Sequence, residues 1–186
     1  MPDLELIYVA DPMCSWCWGF APSIEALAEH HPDLPIRVVL GGLRPGAAAE
    51  PLNDQMRSYL TQAWTAVEDR SGQPFDHAFL EREGWVYDTE QAAIAVTAMR
   101  QVDESQTLGF LTRVQRAFYA ENIDVTDAAV YPSLIAEFPV DAEEYLASLE
   151  SELTKKLTWG DFSLSRRWEI NGFPALLARE GDQAGY

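Results

Sequence analysis

LELIYVADPMCSWCWGF, residues 4–20, joins a short apolar run to two cysteines three positions apart. Leu4 to Ala10 is nearly continuous in apolar side chains, the pattern of a strand covered on both faces of a sheet. Asp11 and Pro12 end it. From about Ser15 to His30 the pattern turns helical, with Ile24, Leu27 and Ala28 on one face, and Pro32 and Pro35 stop the helix. Ile36 to Leu40 (IRVVL) then reads as a second buried strand. Strand, helix, strand in this order predicts a βαβ unit with parallel strands.

Cys14 and Cys17 therefore fall where a strand gives way to a helix. They are the only 2 cysteines of the 186 residues, so they staple no distant segments together. A disulfide scaffold spreads more cysteines along the chain, and this pair reads instead as a working dithiol. Disulfide exchange needs a thiolate nucleophile and a second thiol close enough to resolve the mixed disulfide. At a helix N-terminus, unpaired N–H groups and the positive dipole end favour Cys14 as the thiolate. Cys17, one turn on, is shielded and resolves. Two other readings of the pair stand beside this one. Half of a zinc site would need two further ligands, and His30, His31 and His77 form no paired knuckle, so no metal is expected. A pair of inert core thiols is the second.

Beyond the second strand, Gly41-Gly42-Leu43-Arg44-Pro45-Gly46 marks a loop, and the sequence changes character. Leu52, Met56, Leu60, Ala63 and Val67 recur at helical spacing up to Gly72 and Pro74. Thr89 to Val102 predicts a helix buried nearly all round. Leu108, Leu111, Val114 and Phe118 outline another. Asp141 and Glu144 stand at capping-box spacing before Tyr145, Leu149 and Leu153. After Trp159-Gly160 a last short helix is expected, then Asn171-Gly172-Phe173-Pro174, then a third strand from Ala175 to Ala178. Gly181-Asp182 reads as a hairpin turn, and the sequence ends at Tyr186 before a full return strand. The expected division is an α/β core from residues 1–43 and 160–186, with a helical insertion domain at 44–159.

The hydrophobic fraction of 47% supports a packed core, and 30 acidic against 13 basic residues give a formal charge of -17. Such a surface repels phosphate backbones and anionic lipid, so neither nucleic acid nor membrane is an expected partner. Met1-Pro2-Asp3-Leu4-Glu5 lacks the basic start and long apolar run of a secretory signal. No stretch approaches the ~20 apolar residues of a membrane span. A soluble, cytoplasmic protein is the expectation, with no signal for an oligomeric state.

Asp11-Pro12-Met13-Cys14-Ser15-Trp16-Cys17-Trp18-Gly19-Phe20, the Gly-Gly-Leu-Arg-Pro-Gly loop at 41–46 and Asn-Gly-Phe-Pro-Ala-Leu at 171–176 together resemble the DsbA-like thioredoxin family, and within it the cytoplasmic FrnE-type members. The resemblance spans the chain and implies a thioredoxin fold with a large helical insertion between the second and third strands. It implies that Pro174 is a cis-proline beside the cysteines, exposing backbone groups to an extended substrate segment, with Phe173 as an aromatic wall. Pro22 matches the proline that kinks the active-site helix. Met13, Trp16, Trp18 and Phe20 crowd the site. Trp16 is expected exposed, where it would hold an unfolded client, while Trp18 and Phe20 belong to the core. Asp11, beside Ser15 and the cysteines, opposes thiolate formation; were it exposed, screening would leave the helix end dominant.

Two departures from the family pattern stand out. Many thioredoxin-fold enzymes carry a buried acid six residues before the first cysteine, where this chain has Tyr8, so the proton route passes instead to water or Asp11. Family members also usually continue into a further strand and helix, and a truncated sequence is expected. The resulting expectation is a thiol–disulfide oxidoreductase or isomerase acting on protein or small-molecule thiols and disulfides, with no cofactor beyond the redox-active Cys14–Cys17 disulfide. The Ser15-Trp16 pair between the cysteines does not fix the direction of flux. Relatives with the same insertion that act as glutathione-dependent isomerases or transferases generally carry a single Ser or Cys, against the intact pair here. A redox-sensing binding protein using the same groove without turnover is the remaining alternative.

Overall fold

The computed structural model describes residues 4–180 and 183–185, the last three by their backbone. In chain order its regular elements are β1 (Leu4–Ala10), α1 (Ser15–His30), β2 (Ile36–Leu40), β3 (Glu50–Pro51), α2 (Asp54–Ser71), β4 (Val86–Tyr87), α3 (Glu90–Val102), α4 (Thr107–Tyr119), α5 (Tyr131–Ile135), α6 (Ala142–Leu149), α7 (Glu152–Arg167), β5 (Ala175–Glu180) and β6 (Gln183–Gly185). The main sheet has the order β2-β1-β5-β6. β1 runs parallel to β2 with Leu6 opposite Ile36 and Ala10 opposite Leu40, and antiparallel to β5 with Val9 opposite Ala175.

Alternation along β1 sends its side chains to two cores. Tyr8 and Ala10 join Val38 and Leu40 in the larger core, with Trp18, Ala21 and Ile24 of α1. Ile7 and Val9 join Val39 and Leu177 on the other face, under Leu164, Trp168 and Ile170. The apolar run is thus buried on both faces from Ile7 onward, while Leu4 at its start is exposed. Helices α2 to α6 lie between β2 and β5 in sequence and share the larger core. At its centre Trp64 is 1% exposed and meets Phe75, Phe118 and Tyr119 at ring-centroid distances of 5.4, 5.9 and 5.2 Å.

The inserted region departs from its expected outline in three places. β3 and β4 form a two-stranded antiparallel ladder where only helix and loop were expected. They pair because Tyr87 of β4 and the flanking Leu52 and Trp85 are buried, with the Leu52 N–H donating to the Trp85 carbonyl at 2.8 Å. The helix expected to run from Tyr145 through Leu153 is two helices. Ser151 starts the second by accepting from the Leu153 N–H at 3.1 Å, and Leu153 is exposed. That second helix, α7, runs unbroken across Trp159-Gly160, so no separate short helix follows, and a boundary at 159/160 falls inside it. Gly160 costs about 1 kcal/mol in helix propensity, but neighbouring side chains fix the helix: Trp159 donates to Glu90 at 2.9 Å and Phe162 is fully buried. The Asp141 cap is present, accepting from the Glu144 N–H at 2.8 Å. β5 continues two residues past Ala178 and pairs with the short return strand β6. The Gly181-Asp182 turn lies outside the described residues.

β2 is an edge strand, and two helices cover its open side. Arg100 of α3 donates through Nη1 to the Val38 carbonyl at 3.0 Å and to Asp161 Oδ2 at 2.7 Å. Asp161 of α7 also accepts from the Leu40 N–H at 3.1 Å. Edge backbone groups that would otherwise invite pairing with another chain are satisfied by an ion pair that ties the insertion to the sheet. Replacing Asp161 by Ala leaves the mostly buried Arg100 uncompensated and should cost roughly 3 kcal/mol or more. Urea unfolding checks this, with Asp161→Asn expected to lose less.

Candidate active site

Cys14 is the N-cap of α1, with extended backbone at φ -94° and ψ 117°. Its carbonyl accepts from the Trp18 N–H at 3.1 Å, the first turn of the helix, and its N–H donates to the Asp11 carbonyl at 3.1 Å. That turn folds Cys17 back beneath Cys14. Cys14 is 7% exposed and Cys17 0%, and both are free thiols.

Their environments push the two thiols apart. The Cys17 side chain, donating to Cys14 Sγ, holds Cys14 below the ordinary thiol range; burial opposes this, the N–H groups of Cys17 and Trp16 add to it, and Asp11's charge opposes it. Burial drives Cys17 well above the ordinary range, and its bond to Cys14 drives it further. Cys14 is therefore the group that ionises and Cys17 the buried donor that keeps its proton.

Asp11 is not at the surface. It is 0% exposed, so the solvent screening that an exposed Asp11 would have does not apply. Oδ1 accepts from the Met13 N–H at 2.9 Å and Oδ2 from the Leu43 N–H at 2.8 Å, and the Thr89 hydroxyl adds a third bond. Burial raises its carboxyl to about 6, although those hydrogen bonds and Arg44 pull it down. The side chain ties the cysteine turn to the loop after β2 and to the start of α3. Tyr8, at the position where related enzymes carry an acid, is 1% exposed, with its hydroxyl against the Cys17 sulfur. Burial first, and the Cys17 and Cys14 sulfurs next, push the phenol far above its ordinary range, so it remains a neutral O–H group.

The Phe173–Pro174 peptide bond is cis, and the Phe173 carbonyl accepts from Cys14 Sγ at 3.5 Å. The paired glycines of the 41–46 loop have a steric reason here. A Cβ on Gly41 would stand 2.2 Å from the Phe173 ring, and Gly42 sits at φ +72° with Phe162 at 2.7 Å. No larger residue lets the Phe173 loop approach Cys14.

The other expected side chains divide between the site and its frame. Trp16 is 47% exposed and Ser15 half-buried. Met13 is buried, its carbonyl accepting from the Tyr87 hydroxyl. Trp18 is buried, donates to the Pro74 carbonyl at 3.1 Å and stacks on Tyr119 at 6.5 Å, which anchors the insertion to α1. Phe20 is half-buried and meets Tyr8 at 6.1 Å. Pro22 lies inside α1 on its exposed side. His77 sits against Trp64 at 5.7 Å and His30 bonds the Ala26 carbonyl, so neither stands with the cysteines. Among the described residues no group of three or more His, Cys, Asp or Glu is placed to hold a metal ion, and no helix is long and apolar enough to cross a membrane. Sequence reasoning missed Arg44, Tyr59 and Tyr87, which line the cleft over Cys14. Arg44 was within a quoted motif; the two tyrosines carried no signal, because only the fold brings them there.

A thioredoxin family model matches residues 7–186. The structure is similar to a candidate protein disulfide isomerase from Nitrosomonas europaea, with 32% identity and a TM-score of 0.90 over 98% of this chain and 87% of that one. It is also similar to the cytosolic disulfide reductase DsbM from Pseudomonas aeruginosa, with 26% identity and a TM-score of 0.82 over 97% and 87%. That reductase is also known with glutathione (GSH). Among curated proteins the chain is 24% identical to the ClpXP adapter protein SpxH of Bacillus licheniformis, over 96% of this chain but only 60% of the relative.

The Cys14 geometry predicts that its alkylation midpoint in reduced protein lies below the free-thiol value of about 8.5. Cys17→Ala removes the donor that contributes most and should raise that midpoint, while Cys17→Ser, which keeps an O–H, should raise it less. Iodoacetamide rates against pH check both.

Proposed function

This chain belongs to the thioredoxin family, and from that premise we propose that it is a DsbA-like thiol–disulfide oxidoreductase acting through Cys14 and Cys17. One observation carries the reading: Cys14 caps the N-terminus of α1 with Cys17 fully buried one turn on and the cis Phe173–Pro174 bond against its sulfur.

In the reducing direction Cys14 thiolate attacks a substrate disulfide. The substrate S–S bond breaks, one thiolate leaves, and a mixed disulfide forms on Cys14. Cys17 then attacks Cys14 Sγ, its proton passing to the departing second sulfur. Two electrons have moved to the substrate, and the Cys14–Cys17 disulfide remains. No group beyond that disulfide is required. Oxidation of a client runs the same steps in reverse.

A groove of about 400 Å³ runs beside the cysteines, lined by Trp16, Phe20, Pro22 and Pro174 among others. It suits an extended client segment, with Trp16 as an exposed apolar contact and Phe173 and Pro174 beside the reacting sulfur. Small thiols are the second substrate class, supported by the DsbM neighbour's structure with glutathione. That cytosolic neighbour also supports a cytosolic setting. A second reading, a protein that binds clients at this groove without turnover, is favoured by the adapter relative.

Dithiothreitol-driven insulin reduction separates the two, since only an oxidoreductase loses catalysis when either cysteine is replaced. In cell lysate Cys17→Ser should accumulate mixed disulfides, because nothing nearby displaces the client. Cys14→Ser, with a buried and protonated thiol left, should trap few. Equal adducts on non-reducing gels from both variants would reassign the nucleophile, and adducts from neither would favour binding without turnover.

A further inference from the structure

The cleft above Cys14 is lined by Leu43, Tyr59, Tyr87 and Phe173 and by a single cation, Arg44. It measures about 150 Å³, and a neighbouring compartment of about 250 Å³ shares Arg44 and Tyr59 with it. Arg44 is held firmly. Its N–H donates to Thr89 Oγ1 at 3.1 Å, and its carbonyl accepts from the Thr89 N–H at 3.2 Å. Its guanidinium carbon stands 5.0 Å from the Tyr87 ring and 5.9 Å from the Tyr59 ring. The side chain is 20% exposed, and its Nε pairs with Glu50 at 3.5 Å. Glu50 is 56% exposed, so this is a weak surface pair. Among the described residues Nη1 and Nη2 have no hydrogen-bond acceptor.

We infer that Arg44 is an anion-recognition point of the dithiol site, and that it receives the carboxylate of a small amino-acid-derived thiol or its disulfide. The inference rests on the dithiol reading and names its small-molecule substrate class. A guanidinium fixed between two aromatic rings presents a planar pair of donors that matches a carboxylate. Glu50 at the rim complements an α-ammonium group on the same ligand. The two compartments together lie at the lower end of small-ligand sites. The net charge of -17 repels anions at long range, so preference for one has to come from a short-range contact.

The test is oxidation of the reduced protein by three small disulfides, followed by tryptophan fluorescence. Glutathione disulfide is anionic, 2-hydroxyethyl disulfide neutral and cystamine cationic. In each case the two electrons and two protons of the dithiol pass to the small disulfide, whose S–S bond breaks to give two thiols as Cys14–Cys17 closes. Arg44→Gln should lower the rate with glutathione disulfide relative to the neutral disulfide on the order of tenfold. The ratio for cystamine should not fall. Arg44→Lys, which keeps the charge without the fork, should fall less than Arg44→Gln. An unchanged ratio, or a parallel fall with cystamine, would overturn the inference. An equal fall in insulin reduction would reassign Arg44 to acidic segments of protein clients and overturn it too. A wild-type dithiol oxidised by none of the three would remove the dithiol reading itself, and this inference with it.

Discussion

A cysteine that is only 7% exposed has little water to hold a negative charge on its sulfur, so the charge on Cys14 has to be held by donors within one helical turn. The Cys17 thiol, the Cys17 N–H and the Trp16 N–H supply them. This single requirement fixes much else. The strand must end at Ala10, the backbone must turn at Asp11 to Met13, and the helix must begin at Ser15, or the donors miss the sulfur. β1, paired on both sides, gives that turn a rigid base.

Asp11 sets the limits of the arrangement. A buried carboxylate close to a thiolate raises the cost of that thiolate, and its charge does act against Cys14. What it gives in return is a junction, in which the cysteine turn, the 41–46 loop and the start of α3 all end on its two oxygens. Its carboxyl, pushed up to about 6 against roughly 3.9 for a free side chain, contributes stability below the free value that is lost as pH rises through about 6. The protein keeps the junction despite that loss.

The α/β frame was legible because its signals are local. Leu4–Ala10, Ser15–His30 and Ile36–Leu40 have the bounds their apolar patterns indicate, each with Pro, Asp or a cysteine turn as punctuation. The buried helix α3 was legible for the same reason. The misreadings fall where tertiary contacts outweigh local chemistry. Gly160 looked like a break, but Glu90 and the surrounding core hold α7 straight through it. Ser151 starts a new helix inside a run of apolar spacing that looked continuous. In the site, Cys14 and Cys17 declared themselves by spacing, whereas the depth of Asp11 did not, since an Asp-Pro pair after a strand reads equally well as a surface turn. Tyr59 and Tyr87 reach Cys14 only through the packing of α2 and the β3–β4 ladder.

The proposed function makes Cys14 and Cys17 a single two-electron couple. Equilibrating the protein in glutathione buffers of stepped composition, then quenching with acid and weighing it, measures this directly. The expected result is a single two-electron transition between the dithiol and the intramolecular Cys14–Cys17 disulfide, with little glutathione attached at the midpoint. A protein that instead accumulates one glutathione on Cys14, with Cys17 still a free thiol, would contradict it.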